Sequence, residues 1–228
     1  MSDDIGLPAP EALRVQTADG LSLEAEYASA GPRERAAVVL AHPHPMQGGS
    51  MRSLVTSELF RALPPLGMSV LRFNFRGVEG SEGAHGGGVD EHDDVIAAID
   101  ALEAQRDPGT NGAPAGPLVL AGWSFGADVS LSVTDPRLAG WFLIAPPLRV
   151  LPDSAFAAAR DPRPKCFVVP ERDQFCPPAK LRERTAGWDN VDVNDVPGAD
   201  HFLVGRTRVA VDALSSFVDR LAPTPGGR

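Results

Sequence analysis

The chain has 228 residues, 43% hydrophobic and 22% charged, which suits one domain with a sizeable core. Its net charge of -9 argues against a nucleic acid partner, since that binding needs a basic surface. No apolar run reaches the ~18 residues of a membrane span, and the acidic start "MSDDIGLPAP" lacks the order of a secretory signal, so a cytoplasmic location is expected.

Residues 11–30, "EALRVQTADG" and "LSLEAEYASA", alternate apolar and polar positions about "ADG" and predict an antiparallel hairpin with one wet face. After "GPRER" the texture changes. "AAVVLAH" (36–42) is nearly continuous apolar, the pattern of a strand buried on both faces. "SLVTSELFRAL" (53–63) has helical spacing, "MSVLRFNF" (68–75) reads as a strand, and "VDEHDDVIAAIDALEAQ" (89–105) as a helix. Strands follow at "PLVLAGW", "LAGWFLIA", "KCFVVP" and "NVDVNDVP", with helices over "PPAKLRERTAGW" (177–188) and "TRVAVDALSSFVDRLA" (207–222). This alternation predicts an α/β domain over 1–221, with a mostly parallel sheet, the N-terminal hairpin antiparallel, and helices on both faces. Residues 222–228 read as a tail. Cys166 and Cys176 are too few for a disulfide framework.

Ligands of such sheets bind outside the carboxyl ends of the strands. At one of those ends stands "LVLAGWSFG" (118–126), in which Ser124 lies between Gly122 and Gly126. A Gly-x-Ser-x-Gly turn joining strand to helix holds its serine in a strained conformation, and the glycines let strand and helix approach. A serine hydroxyl needs a base, and the base an orienting group. Of five histidines, His201 lies in the loop between the last predicted strand and the last helix. The acid belongs between serine and histidine in chain order. "FVVPERDQFCP" supplies Asp173 just past a buried strand, with Glu171 its nearest rival and Asp195 or Asp200 the alternatives.

Two backbone N–H groups must hold the oxyanion: that of Phe125, following the serine, and one from "AHPHPMQGG" after the third strand. Pro43 and Pro45 have no N–H, so His44 is the first donor past His42, with Met46 next. His42 is read as a structural histidine bonding loop backbone, and a metal site at "HPHP" is disfavoured because no ligand spacing accompanies it. In "FRGVEGSEGAHGGG" (75–88), Gly77, Gly80 and Gly83 read as turn residues and Arg76 and Ser81 as loop anchors. "DEHDD" (90–94) reads as the acidic first turn of a helix, favourable to its dipole. Trp123, Phe125 and Phe202 are either core or pocket wall.

Taken in order, "HPHPMQGGSM", "LRFNFRGVEGSEG", "LAGWSFGADVSL", "LIAPP" and "GADHF" resemble the alpha/beta-hydrolase superfamily. The narrower resemblance is to its small lidless bacterial serine hydrolases, related to the dienelactone-hydrolase and X-prolyl-dipeptidyl-peptidase groups. It runs from about residue 35 to 218. It implies Ser124 as nucleophile, His201 as base, Asp173 as acid, and Phe125 and His44 as oxyanion donors. Two departures stand out: Pro170 where the acid turn usually opens with glycine, and "HPHP" where many relatives carry His-Gly.

The stretch "LRVLPDSAFAAARDPRP" (148–164) is too short for a cap domain, so an open, shallow site is expected. The resemblance implies an acyl-enzyme hydrolase of a small ester, thioester or related bond. Its partner would be a small-molecule acyl substrate, with no cofactor, metal, membrane or nucleic acid, and the oligomeric state is left open. The alternatives are an acyltransferase, an X-prolyl peptidase-like activity, or an idle fold used for binding.

Overall fold

The computed structural model describes residues 7–106 and 116–221; the tail expected at 222–228 lies outside them. The chain begins with β1 (Glu11–Gln16), β2 (Ser22–Ala28), β3 (Ala36–Ala41), α1 (Leu54–Ala62), β4 (Met68–Phe73) and α2 (Glu91–Gln105). It continues with β5 (Leu118–Trp123), α3 (Phe125–Ser132), β6 (Leu138–Ile144), β7 (Lys165–Pro170), α4 (Pro178–Arg184), β8 (Val191–Val196) and α5 (Thr207–Leu221). The strands form one sheet in the order β1-β2-β4-β3-β5-β6-β7-β8. β1 and β2 pair antiparallel, as do β2 and β4, and every other pairing is parallel. This is the mostly parallel sheet with an antiparallel N-terminal hairpin that the sequence predicts.

The apolar runs explain the layering. Along β3, Ala37, Val39 and Ala41 face one core with α2 and α3, while Ala36, Val38 and Leu40 face a second core with α1 and α5. All six are fully buried, as expected of a parallel strand covered by helices on both faces. β5 and β7 divide their residues in the same way.

α4 is shorter than the helix expected over 177–188. Thr185 turns both its N–H and its hydroxyl back to the Leu181 carbonyl. The chain then bends, and Trp188 comes against Phe156 and Phe167. Local side-chain bonding to the backbone competes with helix continuation at such a residue. The connection from β6 to β7 holds only two short 3-10 turns, Asp153–Ala155 and Ala157–Arg160, so that connection carries no cap domain. Among the described residues no helix is long and apolar enough to cross a membrane.

From β3 the chain order runs outward both ways, to β4 on one side and β5 on the other. That reversal opens a crevice at the carboxyl ends of the strands. His44 follows β3, Ser124 follows β5, Asp173 follows β7 and His201 follows β8, so all four side chains rise from the same end of the sheet.

Candidate active site

Ser124 occupies the one-residue turn between β5 and α3 with φ +55° and ψ -117°, a conformation that L-residues avoid. Its N–H is held by the Ile144 carbonyl at 2.9 Å. The flanking glycines make this turn possible. A Cβ on Gly126 would lie 2.5 Å from the carbonyl oxygens of both Ala41 and His42, and one on Gly122 would lie 2.4 Å from the Gly126 oxygen. Helix α3 therefore rests directly on the backbone at the end of β3.

The Ser124 hydroxyl meets His201 Nε2 at 2.9 Å, and His201 Nδ1 meets Asp173 Oδ2 at 2.7 Å. With Nδ1–H donated to the carboxylate, Nε2 is left as the acceptor for the serine proton. The other Asp173 oxygen accepts N–H groups from Phe175 at 2.8 Å and Cys176 at 3.1 Å. Burial pushes the Asp173 carboxyl up, but the hydrogen bond and charge of His201, with those two N–H groups, outweigh it and hold it below its ordinary value.

The rival acids are engaged elsewhere. Glu171 accepts the Gly198 N–H at 2.6 Å, tying the Asp173 turn to the His201 loop. Asp195 pairs with Arg182, and Asp200 accepts the Phe202 N–H. Pro170 simply ends β7, and the turn beyond it still brings Asp173 to the imidazole.

His42 is fully buried, and both its ring nitrogens are used. Nε2 accepts the Phe75 N–H at 3.0 Å, so Nδ1 carries the proton that goes to the Pro43 carbonyl at 2.6 Å. Burial pushes His42 down to about 4, which keeps it neutral near pH 7. Because a trans peptide points its C=O and N–H in opposite directions, anchoring the Pro43 carbonyl turns the His44 N–H away from His42. The Met46 N–H donates to His44 Nδ1 at 3.2 Å and is thereby occupied. The N–H groups of His44 and of Phe125, the first residue of α3, meet no acceptor among the described residues. Two free donors thus remain near Ser124. Gly49 closes the loop: its N–H reaches the His44 carbonyl at 3.0 Å, and a Cβ there would lie 2.2 Å from the Pro43 oxygen.

A cleft of about 200 Å3 opens over Ser124 and His201, with Trp123, Phe175, Leu54 and Phe202 in its walls. Phe125 is buried beneath it, whereas Phe202 is half exposed at the rim. Arg76 and Ser81 anchor their loop as expected, Arg76 through the buried Asp94 and Ser81 through the Asn74 carbonyl. The acidic stretch does form the first turn of α2, with Glu91, Asp93 and Asp94 in it. Glu91 and Asp94 are fully buried, Glu91 accepting the N–H groups of Gly86 and Gly88 and Asp94 binding Arg76. From that turn their carboxylates also hold the preceding loop.

Sequence reasoning did not single out Asp128. Its buried carboxylate accepts N–H groups from Leu148, Arg149 and Val150 at 2.9 to 3.0 Å, joining α3 to the loop after β6. Burial pushes this carboxyl up to about 6 against those donors. An acid within the otherwise apolar "FGADVSL" was the available signal. Phe175, edge-on to His201 at 4.6 Å, was also missed, because its place depends on the turn that carries Asp173.

The model of a family described as an alpha/beta hydrolase domain matches residues 34–220. An uncharacterised protein of Rickettsia prowazekii, RP471, is 28% identical over 205 residues, covering 86% of this chain and 84% of that one. Among solved structures, XC6422 of Xanthomonas campestris, described as an a/b serine hydrolase without lid, superposes with a TM-score of 0.80 at 28% identity, over 97% of this chain and 100% of that one. An alpha-beta serine hydrolase homologue from Coxiella burnetii gives a TM-score of 0.76 at 29% identity, over 93% of this chain and 97% of the other. With its sheet order, its strained serine turn and a family match over most of its length, the chain belongs to the alpha/beta hydrolase family.

Proposed function

We propose that the protein hydrolyses small esters or thioesters through an acyl-enzyme on Ser124. The observation that carries this reading is the continuous hydrogen-bonded line from Ser124 through His201 to Asp173 at the mouth of an uncapped cleft. The description of two relatives as serine hydrolases supports it. In the first half, Ser124 Oγ bonds to the substrate carbonyl carbon as its proton passes to His201 Nε2. Asp173 stabilises the imidazolium, and the His44 and Phe125 N–H groups receive the oxyanion. Each such donor contributes on the order of 3–4 kcal/mol to the transition state. The bond from carbon to the leaving oxygen or sulfur then breaks, and His201 returns the proton to the leaving group. In the second half, water gives a proton to His201 and its oxygen to the acyl carbon; the Ser124–acyl bond breaks and the serine recovers the proton.

Release of p-nitrophenol from acetyl and butyryl esters tests this. Wild type is expected to turn over, and Ser124→Ala or His201→Ala to lower kcat by about 10⁴–10⁶-fold with an unchanged circular dichroism spectrum. A folded wild type with no turnover on any acyl ester would contradict it.

A further inference from the structure

A groove of about 460 Å3 lies beside the 200 Å3 cleft, and the two share Gly48 and Gly49. His201 and Phe202 line the cleft alone, and Met46, Val78 and His85 the groove alone. The groove therefore lies across the Gly48–Gly49 turn from the imidazole. That side has a chemical meaning. The imidazole hands its proton to the leaving atom, so the leaving group must sit beside His201 and the acyl substituent must point away from it. With the oxyanion at the His44 and Phe125 N–H groups, the acyl substituent leaves over the oxyanion loop. There the barrier to the groove is a turn of two glycines without side chains.

The walls suit a flat, uncharged group. Pro45 and Met46 line the groove, and Met46 is 74% exposed, with a thioether free to lie against a ring. Of the aromatic side chains nearby, His85 lines the groove; its ring is backed by His44, a cleft residue 5.2 Å away, and by the buried Phe125 at 5.4 Å. Glu79, the carboxylate in the wall, is engaged by Arg52 and Asn74, which removes its attraction for a cation. The loop bearing His85 is fixed by buried Glu91, which accepts the Gly86 N–H at 2.8 Å and the Gly88 N–H at 2.7 Å. His85 Nδ1 is itself buried, 2.7 Å from Glu91 Oε1 but off the line a hydrogen bond requires. With Nδ1 turned inward, Nε2 is the nitrogen that can meet a hydroxyl in the groove.

We propose that this groove is the acyl-binding subsite, that it takes an aryl-substituted acyl chain, and that His85 reads a hydroxyl on the ring. The proposal rests on the acyl-hydrolase reading above and names the substrate class of that site.

The test holds the leaving group constant as p-nitrophenol and compares acetyl, phenylpropanoyl and hydroxyphenylpropanoyl esters. Ala84 lines the groove and is exposed, so Ala84→Trp fills the groove without touching the core. It is expected to lower kcat/KM on both aryl esters at least about tenfold while acetyl stays within about twofold. His85→Ala is expected to lose about tenfold on the hydroxylated ester relative to the unhydroxylated one. Equal losses on all three esters, no loss on any, or a loss that follows a larger alcohol in place of a larger acyl group would overturn the proposal. Binding of hydroxyphenylpropanoate to wild type and to Ala84→Trp, followed by ligand-observed NMR, gives a readout that needs no turnover. Saturable binding lost in the variant supports the groove even if no ester is cleaved, in which case the hydrolase reading alone falls. Absence of binding to wild type overturns the groove.

Discussion

Asp173 divides its two oxygens between His201 and the backbone of its own turn, so the carboxylate is both oriented and held below its ordinary value. An amide in its place keeps the size but not the second acceptor face toward Nδ1–H. Asp173→Asn is therefore expected to leave the fold intact and lower kcat on p-nitrophenyl acetate by about 10⁴-fold, through the wrong imidazole tautomer. Retained activity would transfer the acid's role to another carboxylate. Residue choices of this kind were legible to different degrees. Ser124 and His201 could be picked from their glycine frame and loop position, because strand ends are visible in an apolar pattern. Asp173 was separable from Glu171 only by its distance past β7. The structure adds the physical reason: Glu171 is spent on the Gly198 N–H.

At the scale of elements, the loop after β3, the proposed source of one oxyanion donor, is set by backbone contacts that the sequence does not display. Gly49 lies so close to the Pro43 carbonyl that a methyl group must displace the Pro43–His44 peptide, the same peptide that aims the His44 N–H. Gly49→Ala is expected to lower kcat by about 10²–10³-fold in a protein that still folds at the assay temperature. Kinetics beside a thermal melt would check it, and a variant of normal kcat would remove His44 from the oxyanion site. The inner strands β3, β5 and β7 were readable because burial on both faces leaves an uninterrupted apolar run. The early end of α4 was not, since it depends on Thr185 bonding back to Leu181. Nor were the roles of Glu91 and Asp94, whose partners are loop N–H groups and an arginine brought near only by folding.

Across the whole molecule, His42 and Asp128 couple folding to pH in opposite directions. His42 is depressed from 6.5 to about 4, so its contribution is present above the unfolded value and is lost as pH falls through that window. The shift corresponds to about 3 kcal/mol for a fully buried ring. Asp128 is raised from 3.8 to about 6, so its contribution is present at low pH and lost as pH rises through about 6. The two windows overlap, and wild-type stability alone mixes them. A comparison with His42→Gln, which keeps Asp128, isolates the histidine. The stability advantage of wild type in urea is expected to shrink by about 3 kcal/mol between pH 7 and pH 4; parallel curves for the two proteins would show that the His42 ring is not kept neutral by the fold.

The proposed nucleophile, Ser124, is central, and a fluorophosphonate probe with peptide mapping tests it most directly. The expected result is a single phosphonylated site at Ser124, formed rapidly in wild type, absent in Ser124→Ala and slowed in His201→Ala. Labelling at another serine, or none in a folded wild type, would contradict it and leave the strained turn as architecture without chemistry.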